Sequence, residues 1–197
     1  MDATIRSAIN IGGVAINSTT TRSEESAVTY SDTLAAGTSG TLSTRTDDNT
    51  GVVTASGHGL SVSDTVDVYW TGGVRYGMNV TAVSGDDVTV DAGSGDVLPA
   101  QATAVVICEA VEINMDFDGD DMAMLAIGCN KRAHLDFQDS ASASLFAVEI
   151  TADEPYRWSN DQEHTRPITG NAVDKVLISN GTTAAGTLKV GALLSAN

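Results

Sequence analysis

Between Gly51 and Trp70 the chain reads as a strand, a glycine-bracketed turn and a second strand: Gly51-Val-Val-Thr-Ala-Ser-Gly57, then His58-Gly59-Leu60-Ser-Val-Ser-Asp64-Thr-Val66-Asp-Val68-Tyr-Trp70. In the second strand Val66, Val68 and Trp70 share one face while Thr65, Asp67 and Tyr69 share the other, because side chains of an extended chain alternate with period two. Segments of this kind recur along most of the sequence. Glycine (19 residues), Ser, Thr, Val and Asp dominate between and within them, a mixture that favours short strands joined by tight turns. Apolar residues never hold helical spacing over three turns; Met122–Ile127 comes nearest and is too short. The expected fold class is all-β, an antiparallel β-sandwich with a small inserted β-barrel-like module.

Three parts are expected within the 197 residues. Residues 1–41 supply an N-terminal arm and the first strands of the sandwich. A strand around Thr4–Ile11, a Gly12-Gly13 break and Val14–Ile16 precede a polar run, Asn17–Ser26. That segment cannot pack alone and reads either as an arm on a neighbouring subunit or as a frayed edge strand. Residues 42–99 form the inserted module, with strands at Leu42–Thr46, Val52–Ala55, Thr65–Trp70, Arg75–Val83 and Val88–Asp91 and closure at Gly93-Ser-Gly95 and Pro99. Residues 100–197 complete the sandwich, with alternation in Ala104–Ile107, Val111–Phe117, Ala133–Phe137, Leu145–Ile150, Val173–Ile178 and Thr187–Leu194. The last two read as a hairpin joined across Asn180-Gly181.

The His-Gly-Leu turn, the polar residues after it, Asp64 and the alternating valines resemble stretches in structural proteins of tailed bacteriophages. The pattern at the C-terminal end is similar to theirs as well, so the resemblance covers about half of the chain. His58, Gly59, Leu60 and Asp64 form the structural turn of the module. Ser63 departs from the related pattern, which has Gly before the Asp. The resemblance implies a virion location and a non-enzymatic role: a capsid decoration or cement protein, oligomeric with a trimer favoured, whose partners are its own copies and virion proteins such as the major capsid protein. The alternatives are a tail tube, adaptor or tip component and, from another class, a carbohydrate- or receptor-binding module using Trp70, Tyr76, Tyr156 and Trp158.

Charge and motifs narrow the other classes. A formal net charge of −16 opposes nucleic acid as a partner, since affinity for phosphate backbones comes from clustered Lys and Arg. No apolar run approaches the length of a membrane span, so no membrane partner is expected. Cys108 and Cys129 lack metal-ligand spacing and read as two buried thiols. Asn114–Asp120 imitates the start of a calcium loop, but its twelfth position is Leu125 where a bidentate carboxylate is required, and a hairpin turn on Asp118-Gly119 explains the same residues. No cofactor or metal is therefore expected. His58, His134 and His164 belong to no catalytic spacing, with His58 read as a turn residue and His134 as a half-exposed strand residue. The segment from Ala152 to Pro167 is poor in strand pattern yet holds Tyr156, Arg157, Trp158, His164 and Arg166, residue types enriched at interfaces. It reads as an assembly loop, or as a loop folded over one end of the sandwich with Trp158 plugging the core.

Overall fold

The period-two alternation becomes strands nearly everywhere in the computed structural model, which describes residues 5–11, 14–20, 26–152, 154–159, 165–170 and 172–194. In chain order these are β1 (Ile5–Ile11), β2 (Val14–Thr20), β3 (Ser26–Leu34), β4 (Thr38–Arg45), β5 (Gly51–Thr54), β6 (Thr65–Trp70), β7 (Gly73–Ser84), β8 (Asp87–Asp91), β9 (Ser94–Gly95) and β10 (Ala104–Glu109). After them come β11 (Val111–Asp118), a 3₁₀ turn at Gly119–Asp121, β12 (Met122–Cys129), β13 (Ala133–Gln138), β14 (Ser144–Ile150), β15 (Tyr156–Ser159), β16 (Ala172–Asn180) and β17 (Gly186–Leu194). The all-β expectation holds. The chain divides into two compact units, residues 1–34, 112–178 and 186–197 in one, residues 35–111 and 179–185 in the other.

The second unit is a closed six-stranded barrel in the order β6-β10-β4-β5-β8-β7, with β7 pairing back to β6. A sheet this narrow closes only if its strands bend sharply. Register shifts at Leu42/Thr44, Val66/Val68 and Val80/Ala82 supply the bends, because a bulge increases local twist. Val53, Val66, Val68, Met78, Val88 and Val90 fill the interior, each fully buried. The barrel is wider than the expected 42–99. β10, assigned by its sequence pattern to the sandwich, pairs with both β4 and β6 and is the stave that completes the ring.

The first unit is the sandwich, with sheets β11-β16-β13-β14 and β15-β12-β17-β3. Counted one to eight along the chain, its strands lie in the orders 2-7-4-5 and 6-3-8-1, the strand order of a jelly roll. Phe137 sits at the centre of the core, edge-on to Phe117 at 6.4 Å and tilted against Phe146 at 5.9 Å. Two expected hairpins are corrected by this topology. β16 and β17 lie in different sheets, as do β11 and β12, so Asn180-Gly181 and Asp118-Gly119 are corners at which the chain changes sheet. At the second corner Asp118 Oδ1 accepts the Asp120 N–H at 2.9 Å, capping a 3₁₀ turn in place of a two-residue hairpin turn. β12 was not expected because nearly all of its residues are buried, leaving no alternation to read. A separate antiparallel hairpin is formed by β1 and β2, in register from Ile5↔Thr20 to Ile11↔Val14.

Candidate functional site

The His-Gly-Leu turn owes its shape to side chains that bond to backbone. Gly57 and Gly59 take positive φ (71° and 69°), which reverses the chain twice within three residues. His58 Nδ1 accepts the Leu60 N–H at 2.9 Å, so the ring proton lies on Nε2, which donates to Gly85 O at 3.2 Å. Asp64 Oδ2 accepts the Ser61 N–H at 2.7 Å, and Leu60 drops into the barrel core. Ser63 adopts φ 80°, the conformation that the glycine of the related pattern would take without strain.

The outer wall of the barrel carries a buried polar chain. Asp67 and Tyr69 occupy the row of β6 opposite the valines, yet each is only 1% exposed. They are covered by residues 179–185, which belong to the barrel unit although they link β16 to β17. The Tyr69 hydroxyl lies 2.7 Å from Ser179 Oγ, and Ser179 in turn donates to Asp67 Oδ2 at 2.5 Å. Asp67 Oδ1 also accepts the Gly77 N–H at 2.7 Å. Gly181 lets the segment press on the Tyr69 ring, where a Cβ would stand 2.7 Å from ring carbons. Asn180 closes the loop: its Nδ2 donates to Ala35 O and Ala184 O at 2.8 and 2.9 Å, and its Oδ1 accepts from Thr182. Burial pushes the Tyr69 phenol far above its ordinary range, and the Asp67 charge adds to the effect. The Cys108 thiol, 6% exposed beside them, is raised for the same two reasons in the same order. Ser179 beside a carboxylate superficially suggests an activated nucleophile. At 2% exposure, with its proton committed to Asp67, its hydroxyl is enclosed and acts as a structural link.

Arg75 forms a second buried anchor. Its guanidinium donates to Ala92 O, Asp96 O and Gly93 O at 2.6–2.9 Å, fastening residues 92–96 to β7. Trp70 is half-buried against the barrel core, its ring lying over Gly73, where an added Cβ would meet it at 2.5 Å. Tyr76 packs edge-on to Tyr69, 6.2 Å between centroids. Neither Asp67, Ser179 nor Arg75 stood out in the sequence as a functional group.

The expected assembly residues separate in space. Trp158 is 5% exposed within the sandwich core, carried there by the edge strand β15 and not by a loop folded over one end of the sandwich. Tyr156 is half-buried against Phe146, 5.1 Å between ring centroids, and its phenol is raised by burial. Arg166 reaches Asp120 O at 2.6 Å and places its guanidinium 5.9 Å from the Trp158 ring centroid. Arg157 is exposed, and His164 lies outside the described residues. His134 is corrected from half-exposed to buried, at 9%, where Glu149 of β14 stands directly opposite it and β16 flanks β13 on the other side. The two cysteines are free and buried. Within Asn114–Asp120, Asp118 caps the turn and Asp120 Oδ1 accepts the Gly170 N–H at 2.9 Å. No known protein family, curated protein or solved structure matches this chain.

Proposed function

We propose that this chain is a non-enzymatic structural protein of a tailed-bacteriophage virion, a decoration or cement protein that binds the head as a small homo-oligomer. The observation that carries the reading is a jelly roll whose first connection bears a closed barrel built on the His-Gly-Leu turn. Jelly rolls recur in capsid proteins but also in lectins and cupins, so the turn, rather than the sandwich, points to a virion. The polar side chains of the barrel support a scaffolding role. His58, Asp64, Arg75, Ser179 and Asn180 are all spent on holding turns and loops. A charge of −16 keeps copies apart until a specific contact forms.

Native mass at micromolar concentration, negative-stain imaging and co-sedimentation with phage heads stripped of decoration test the proposal. A discrete trimer or dimer that saturates bare heads is expected. Sixfold rings or tubes would make this a tail component, and a monomer that leaves heads bare would overturn the virion reading.

A further inference from the structure

The middle of the outward row of the sheet β15-β12-β17-β3, on β12 and β17, is covered where the N-terminal hairpin lies, while Arg157 on one flank and Thr29, Ser31 and Thr33 on the other are exposed. Register places Arg157 beside Ala126, Ala126 beside Gly191, Met124 beside Leu193 and Gly128 beside Lys189. These residues alternate with Leu125, Ile127, Leu188 and Val190, which point into the sandwich core. An outward row should be wet, yet Ala126 is 1% exposed and Leu193 2%. β1 approaches both β12 and β17, the two central strands of that sheet. It extends no ladder beyond its own with β2, and central strands can be reached only through a face. The inner face is filled by the core, so the hairpin lies across the outer one.

We infer that this face is the assembly surface and that, in the oligomer, the hairpin Ile5–Thr20 of one copy lies on the same face of a second copy. The inference rests on the homo-oligomer reading above. Charge favours a second copy as the occupant. The chain has 26 acidic and 10 basic residues, yet the outward row carries Arg157 and Lys189 and, in the register of its strands, no carboxylate. The hairpin likewise contains Arg6 and no acidic residue. Hairpin and face therefore form an acid-free patch at which two strongly acidic copies meet without carboxylate repulsion. A two-stranded hairpin is marginal alone and takes its stability from the face beneath it. Residues 21–25 are its single link to β3, and the same contacts serve whether the face belongs to its own copy or to a neighbour.

The test uses the full chain with photoreactive p-benzoylphenylalanine installed at Met124, which is half-buried, and separately at Lys189 at the other end of the row, each variant first checked for a wild-type native mass. After irradiation of the native sample, a denaturing gel separates crosslinks between copies, at twice the chain mass of 20.3 kDa, from those within one copy. Peptide mapping identifies the segment captured. The expected result is an oligomer by native mass whose crosslinked bands shift to double mass and map to residues 5–20. An oligomer whose crosslinks to residues 5–20 stay at single mass, or whose crosslinks map elsewhere, overturns the exchange while leaving the oligomer intact. A monomer by native mass overturns the homo-oligomer reading and this inference with it.

Discussion

Replacing Ser179 by Ala breaks the polar chain on the barrel wall at its centre, and the cost follows from what each neighbour loses. Asp67 Oδ2 loses a hydrogen bond to a charged acceptor, worth about 1.5–3 kcal/mol, and the buried Tyr69 hydroxyl loses its Ser179 partner, worth about 1 kcal/mol. The expected loss is about 3 kcal/mol. Tyr69→Phe removes only the outer link, because Ser179 keeps its bond to Asp67, and should cost about 1 kcal/mol. In the Tyr69→Phe background, Ser179→Ala then costs about 1 kcal/mol less than it does alone, which a double-mutant cycle measures. Trp70 is in the barrel and Trp158 in the sandwich, so urea denaturation followed by fluorescence in a Trp158→Phe background reports on the barrel. The midpoint should fall with little change in slope. If Ser179→Ala costs no more than Tyr69→Phe, Ser179 is not the central link and the account of the wall is wrong.

Alkaline pH should weaken the barrel. Burial holds the Tyr69 and Cys108 pKa values above those of the unfolded chain, so their contribution is complete below the unfolded values and is lost as pH rises past them. Urea midpoints should decline from about pH 9 and more steeply above about pH 10, by up to about 1.4 kcal/mol per pH unit for each group, and Cys108→Ala should abolish the earlier part of the decline. Ser63→Gly relieves a non-glycine positive φ and should stabilise the barrel by about 0.5–1 kcal/mol, read as a rise in its melting temperature; a fall would mean that the turn conformation is not the one described. Trp158→Ala should cost about 3–5 kcal/mol by opening the sandwich core, whereas Arg157→Ala, on an exposed side chain, should leave the urea midpoint within about 0.5 kcal/mol.

What could be read from the sequence was what alternates. β6 was legible to the residue, and β13 and β16 nearly so, because polar residues alternate with apolar ones along each, even where both rows are buried. β12 failed this test because both of its rows are small or apolar, and β15 because it is four residues long, with only Tyr156 and Trp158 on its inner row. Which strand joins which sheet was less legible still. Asn180-Gly181 carries a strong local hairpin signal, but Asn180 spends its amide on Ala35, Thr182 and Ala184, and the two strands part. Of the candidate residues, the turn at His58–Asp64 could be read because its bonds are local, apart from the contact to Gly85. Asp67 and Ser179 could not be paired, since 112 positions separate them and no local pattern announces a contact at that range.

That separation has a consequence for the order in which the protein matures on the ribosome. The six staves of the barrel are complete once Glu109 has emerged, while the strip that seals Asp67, Tyr69 and Cys108 follows roughly 70 residues later. At a synthesis rate of about 5–20 residues per second, the nascent barrel stands with that wall uncovered for about 4–14 seconds. During this interval an ionisable thiol and an aspartate meet water that the finished protein denies them, so the wall is open to oxidants and chaperones only while the chain is being made.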